Sequence, residues 1–282
     1  MAKTANDVQL TLAYRLGESS IPGTTTEQAR RLSYIKAGIE FTCLDKRYWF
    51  MKELVTAATI ANQERYAFPD RVIDIDEVKV DGYQYTKIAR DEVYQKYEVP
   101  TAPVPILPSY QDRTYYLWDN YYHLIPTPDT APTAQSVTSI TSSSTTCTVT
   151  LTDHGYGMNN WVTIAGANET AYNGKFQITY VDDNTFTYTA TSTPSATPAT
   201  GTITATKDNI DLWCYQNPDL SSFTSASSIV VPDEYESMLA SYAEFRYWSA
   251  AHKRGKAADA ESEFREWLFR LNMRNERLKY GQ

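Results

Sequence analysis

The chain has 282 residues, with 26 Lys plus Arg against 34 Asp plus Glu, so its formal net charge is −8 and a surface that grips nucleic acid throughout is excluded. Apolar residues make up 42%, charged residues 21%, and Tyr alone contributes 22, a composition that excludes global disorder. The length fits one large domain or two ordinary ones. No apolar run approaches the roughly 18–20 residues a membrane span needs, and Met1-Ala2-Lys3-Thr4 opens no apolar leader, so a soluble chain made in the cytosol is expected.

From Asp7 to Gly17, Val8, Leu10, Leu12, Ala13 and Leu16 fall largely on one helical face, and Gly17 is a natural stop. After the breaker Ile21-Pro22-Gly23, Thr24 to Glu27 reads as a capped start for a second helix through about Leu44, its core side carrying Ala29, Leu32, Ile35, Ala37, Ile39 and Cys43. Past Trp49 the pattern changes. Leu54–Ile60 is rich in β-branched residues, and Val72–Val80 alternates with period two before Asp81-Gly82, so strands and hairpins are predicted. Pro100, Pro103, Pro105 and Pro108 forbid a helix and predict an extended arm. Thr114–Trp118 is a strand candidate, followed by the aromatic run Tyr121-Tyr122-His123.

From about Ala134 to Thr206 the chain becomes rich in Ser and Thr, with Lys175 its one basic residue, and short β-branched runs alternate with Gly, Asn and Asp turns. This predicts a small all-β module of five strands, with Gly155, Gly166 and Gly174 where positive φ is cheap. Ile210–Tyr215 resumes the earlier aromatic style. Pro232, with Asp233 and Glu234 behind it, opens a helix through Met238, Leu239, Tyr242 and Phe245. Gly255 is read as its break, and a last helix from about Ala257 places Phe264, Trp267, Leu268, Leu271 and Leu278 on one side.

The residues that carry chemistry are sparse. Cys43, Cys147 and Cys214 are far apart with no metal-ligand spacing and read as reduced, partly buried thiols. His123, His154 and His252 lie in three different kinds of segment. Asp153-His154 reads as turn chemistry before Gly155 rather than half of a dyad. Asp70, Asp74, Asp76 and Glu77 alternate with apolar residues as a solvated strand face, without the Gly and distal Glu of a calcium loop. No catalytic residue, metal or cofactor is expected, and the chain is read as not an enzyme.

The order of the pieces resembles the head-to-tail adaptor (connector or head-completion) proteins of tailed bacteriophages. The likeness rests on two N-terminal helices ending near Tyr48-Trp49, a small β region, Leu124-Ile-Pro-Thr-Pro-Asp129, Ile210-Asp-Leu-Trp-Cys-Tyr215, and Ile229-Val-Val-Pro-Asp-Glu-Tyr-Glu-Ser-Met-Leu239 opening the closing helices. The β module departs from that pattern. Its Leu151-Thr-Asp-His-Gly155, Trp161-Val-Thr-Ile-Ala-Gly166, Tyr172-Asn-Gly-Lys-Phe-Gln-Ile178, Asn184-Thr-Phe-Thr-Tyr188 and Gly201-Thr-Ile203 look like a recurrent insert of phage virion proteins.

The expected fold class is therefore α+β: a helical adaptor core with a β-hairpin region, in residues 1–133 and 207–282, and an inserted all-β domain in 134–206. The resemblance implies a virion neck protein that binds the portal and tail-completion proteins. It would form a ring, dodecameric like the portal, through which DNA passes without sequence-specific contact. On the carboxyl-terminal helix, Arg270, Arg274, Arg277, Lys279 and Tyr280 are the expected portal-docking residues. Tyr115, Tyr116, Trp118, Tyr121 and Tyr122 are expected in the core and at subunit interfaces. The alternative reading is a tail-fibre or receptor-binding structural protein.

Overall fold

The computed structural model describes residues 2–97 and 113–280. In chain order the elements are α1 (Ala5–Arg15), α2 (Thr25–Asp45), β1 (Lys52–Ala57), β2 (Arg65–Ala67), β3 (Val72–Val80), β4 (Tyr83–Lys87), α3 (Arg90–Tyr97), β5 (Thr114–Trp118) and β6 (Tyr121–Ile125). The inserted stretch holds β7 (Gln135–Ser136), β8 (Ser139–Ser143), β9 (Thr146–Thr150), β10 (Trp161–Ala167), β11 (Gly174–Gln177), β12 (Thr179–Asp182), β13 (Thr185–Thr189) and β14 (Gly201–Lys207). The chain closes with β15 (Ile210–Gln216), α4 (Glu236–Ala250) and α5 (Arg254–Tyr280). The four prolines of the expected arm lie outside the described residues.

Two compact units emerge. The first comprises the described parts of Met1–Glu53, Asp70–Asp74 and Cys214–Gln282. The apolar stripes of its helices meet in one cluster that contains Val8, Leu12, Ile35, Ile39, Cys43, Met238, Leu239, Phe264 and Leu271, as their three- and four-residue spacing requires. Two helix boundaries differ from expectation. α1 begins earlier because Thr4 and Asp7 form a reciprocal capping box: Asp7 N donates to Thr4 Oγ1 at 3.4 Å and Thr4 N donates to Asp7 Oδ2 at 2.8 Å. Thr24 is the N-cap of α2 as expected but makes no side-chain cap, and Glu27 pairs with Arg30 and Arg31. Gly255 lies inside the first turn of α5, and the break falls at His252, which takes φ 55°.

The second unit comprises Leu54–Pro69 and the described part of Ile75–Trp213. The longest sheet of the chain runs β1-β15-β3-β4-β5-β6-β2. Asp81-Gly82 joins β3 to β4 and Asp119-Asn120 joins β5 to β6, and in both pairs each residue has positive φ, the two-residue hairpin geometry that strand twist favours. β4 and β5 pair in parallel, so the region is not a run of simple hairpins.

The expectation of a helical core with a β-hairpin region and a small inserted module is corrected here. Among the described residues fifteen strands form one seven-stranded and two four-stranded sheets, against five α-helices, so β structure dominates the architecture. Short strands such as β3 and β5 were legible singly and β2 was not, but their union into a wide sheet depends on pairings between distant segments. The insert likewise holds eight strands rather than five, in the orders β11-β10-β14-β7 and β12-β13-β9-β8.

The insert has its own core. Ile140, Val149, Val162, Ile164, Tyr172, Phe176, Phe186, Tyr188 and Ala205 belong to one buried cluster whose members all lie between residues 137 and 205. Its two connections meet at a single residue. Buried Thr59 donates from Oγ1 to Thr130 O at 3.0 Å, accepts from Asn209 Nδ2 at 2.9 Å, and its N donates to Asn209 Oδ1 at 2.8 Å. The chain therefore leaves and rejoins the larger sheet at one place. Replacing residues 134–206 with a short Gly-containing turn is expected to leave the remainder folded, with a cooperative thermal melt and undiminished helical circular dichroism. Loss of cooperativity in that deletion would show that the insert is needed for the rest to fold.

Candidate functional site

α5 is positioned by its apolar face and by the residues that follow α2. Tyr48 is fully buried and donates from its hydroxyl to Asn272 Oδ1 at 2.7 Å. Buried Asn275 accepts from Trp49 N at 3.2 Å and donates to Arg47 O at 3.1 Å. The aromatic pair singled out in the sequence thus anchors the last helix.

The basic residues of α5 divide into two kinds. Arg270 pairs with Glu266 at 2.5 Å and lies 5.0 Å from the Trp267 ring centre. Arg274 pairs with Glu234 and lies 5.0 Å from the Trp49 ring centre, so it ties α5 to the segment preceding α4. Arg277 is exposed and makes no ion pair among the described residues, and Lys279 is exposed beside it. Tyr280 is the last residue of the helix.

Sequence reasoning missed two neighbours of these cations. Phe269 is 63% exposed and Met273 45% exposed. At 100° per residue they share one face, about half a turn from the core residue Leu271. The signal was available as an apolar pair at i, i+4 out of phase with the 264/267/268/271 stripe.

The aromatic hairpin also divides. Tyr115 and Tyr122 are buried: Tyr115 donates to the carbonyls of Ile75 and Asp76 at 3.3 and 3.2 Å, and Tyr122 stacks on Tyr66 with ring centres 5.3 Å apart. These two serve the sheet's own packing and do not reach the surface. Tyr116 stacks on His123 at 4.3 Å and donates to Glu64 Oε1 at 3.1 Å. Trp118, 51% exposed, carries the Arg90 guanidinium 3.6 Å from its ring centre, and Tyr121 carries Arg65 at 4.7 Å. Strand alternation explains the division, since successive residues of β5 and β6 point to opposite faces.

Groups with chemical potential are committed elsewhere. All three cysteines are buried and free of disulfides, and burial pushes the Cys43 thiol up to about 12, which keeps it protonated and unreactive. Buried His154 accepts from Tyr156 N at Nδ1 and donates from Nε2 to Asp182 O, both at 2.9 Å, so its ring holds the loop before β10 in shape. Asp74 pairs with Arg47 at 3.0 Å and Glu77 with Lys79 at 2.9 Å. Among the described residues no three His, Cys, Asp or Glu side chains converge as a metal site would. No described helix is long and apolar enough to cross a membrane.

No protein-family model and no curated protein matches the chain. Among solved structures it is similar to the phage phi92 endosialidase, at 24% identity and a TM-score of 0.23 over 29% of this chain. The match spans 13% of that enzyme's chain.

Proposed function

We propose that the chain is a structural protein of a phage particle, joined to a larger assembly through the outward face of α5, and more finely that it is a neck protein seated on the portal. The observation that carries this reading is the exposed pair Phe269 and Met273 beside unpaired Arg277. A helix face that combines large apolar side chains with an arginine has the composition of an interface centre. The order of segments, which resembles phage head-to-tail adaptors, supports the finer reading. Arg270 is paired within α5 to Glu266, whereas Arg274, paired to Glu234, also ties α5 to the segment before α4.

The test is attachment to portal-bearing particles purified before tail addition. Changing Phe269 and Met273 to Ser with Arg277 to Glu should leave the fold within about 0.5 kcal/mol of wild type, because all three are exposed. It should abolish comigration with the particles. Undiminished attachment at moderate salt would remove this face from the interface.

A second reading, a tail-fibre or receptor-binding component, draws support from the dominance of β structure over helix. It expects host-cell binding by the whole chain that the α5 variant retains.

A further inference from the structure

At the root of the insert, within the second unit, lies a cleft of about 670 Å³ that no part of the reading above uses. That volume is within the range of small-ligand sites. One wall is the loop from His154 to Asn160, and it is rigid. His154 fixes Tyr156, Gly157 N donates to Asn160 Oδ1 at 2.7 Å, Ile178 N donates to Asn160 O at 2.9 Å and Asn159 N donates to Ile178 O at 3.1 Å. The floor is held by Asp208, buried, which accepts from Thr56 Oγ1 at 2.6 Å and pairs with Lys175 at 2.5 Å. The charge of Asp208 is therefore neutralised before any ligand arrives.

What remains open toward the cleft has a distinct chemistry. Trp161 lines it half-buried, with the Lys175 ammonium 5.7 Å from its ring centre, and Met158, 65% exposed, lines it as well. Among the described residues the side chain of Asn159 has no partner, and Asn160 has spent its oxygen on Gly157 and retains its Nδ2 donors. Asp81 has given one oxygen to Asn209 at 3.1 Å and retains the other, and Asp211 makes no ion pair among the described residues. Lys207 is the only lysine or arginine in the lining among the described residues.

We propose that this cleft binds a short neutral oligosaccharide, with Trp161 packing on a sugar ring and Asn159, Asn160 and Asp81 bonding its hydroxyls. A sugar hydroxyl both donates and accepts, so it needs a neighbouring set that does both, which amides and carboxylates supply together. The C–H face of the ring is apolar and suits an indole. The excess of carboxylates over cations in the lining disfavours an anionic sugar. A preorganised wall lowers the ordering cost of binding. The proposal is independent of where α5 attaches, so its failure leaves that reading standing.

Isothermal titration of the full chain with maltotriose, cellotriose and N,N′,N″-triacetylchitotriose tests it, with 3′-sialyllactose as the anionic comparator. At least one neutral trisaccharide should bind saturably. Trp161→Ala should lower its affinity about tenfold, with Trp161→Phe recovering part of the loss. Asn159→Gly should lower it about fivefold without disturbing the fold, because Asn159 has φ 63° and glycine adopts that conformation freely. Three results would overturn the proposal: no neutral trisaccharide binding at millimolar concentration, binding confined to sialyllactose, or affinity unchanged in both the Trp161 and Asn159 variants.

Discussion

Gly166→Ala is expected to destabilise the inserted sheets by about 2–5 kcal/mol, the sum of a left-handed backbone forced on an L-residue and an overpacked contact. Gly166 has φ 87° at the register shift between β10 and β14, and an added Cβ would lie far inside van der Waals contact distance of Thr202 O. The obstruction is backbone, which cannot rotate away as a side-chain end would. Gly201, which pairs with the adjacent Ala167, has φ 112° and its added Cβ would meet Gly166 O, so the two glycines let the strands approach where neither could carry a side chain. By contrast Gly155→Ala, at φ 65° with open space around it, should cost only the backbone preference, about 1–2 kcal/mol. Chemical denaturation of the two variants, followed by near-ultraviolet signal, separates the effects. Equal midpoints would show that β10 and β14 can part without cost.

Arg31→Met should cost about 2–4 kcal/mol in the first unit. The Arg31 side chain is 1% exposed, yet its guanidinium forms a two-bond fork with Glu18 at 2.7 and 2.8 Å and donates from Nε to Glu27 at 3.0 Å. Breaking a buried ion pair costs about 3–5 kcal/mol, but Glu18 is more than a third exposed and water can take over part of its solvation, hence the lower figure. The pH dependence supplies an independent check. The hydrogen bonds from Arg31 hold the Glu18 carboxyl below the usual carboxylate range, and those from Arg15 do the same for Glu263. A carboxyl depressed on folding contributes stability that is complete above its unfolded value, about 4.3, and is lost as pH falls through its folded value. Wild-type stability should therefore decline from about pH 4.5 downward, and Arg31→Met should show a shallower decline because Glu18 no longer titrates differently in the two states. An unchanged acid slope in urea titrations would mean that the fork does not persist in solution.

The helices other than α3, and most of their buried faces, were legible because their determinants are close in sequence, although Ala29 and Leu278, expected on core sides, are exposed. Val8 and Leu12, Ile35 and Ile39, Phe264 and Leu271 lie four to seven residues apart, and their spacing alone aligns them. The same holds for Asp81-Gly82, where the turn chemistry is carried by the two residues themselves. Errors arose where a residue type departed from its commonest use. Thr4 and Asp7 cap α1 with an aspartate where glutamate is the usual partner, and His252 rather than Gly255 takes the left-handed position between α4 and α5. Of the expected interface aromatics, alternation could have told that Tyr115 and Trp118 cannot share a face, but it could not say which face is covered.

The amino-acid sequence by itself determined most of the elements: where four of the five helices run, where the Asp81-Gly82 turn falls, and that residues from about 134 to 206 form strands of a different composition. It did so because those preferences act over a few residues. Only the tertiary structure decided what the elements become together. The parallel pairing of β4 with β5 and the union of seven strands in one sheet depend on contacts between segments far apart in the chain. So do the burial of Arg31, the closure of the insert on Thr59, and the cleft that gathers Asp81, Asn159 and Trp161. Each comes from choosing among many possible long-range pairings, and a single sequence read locally contains no term that ranks them.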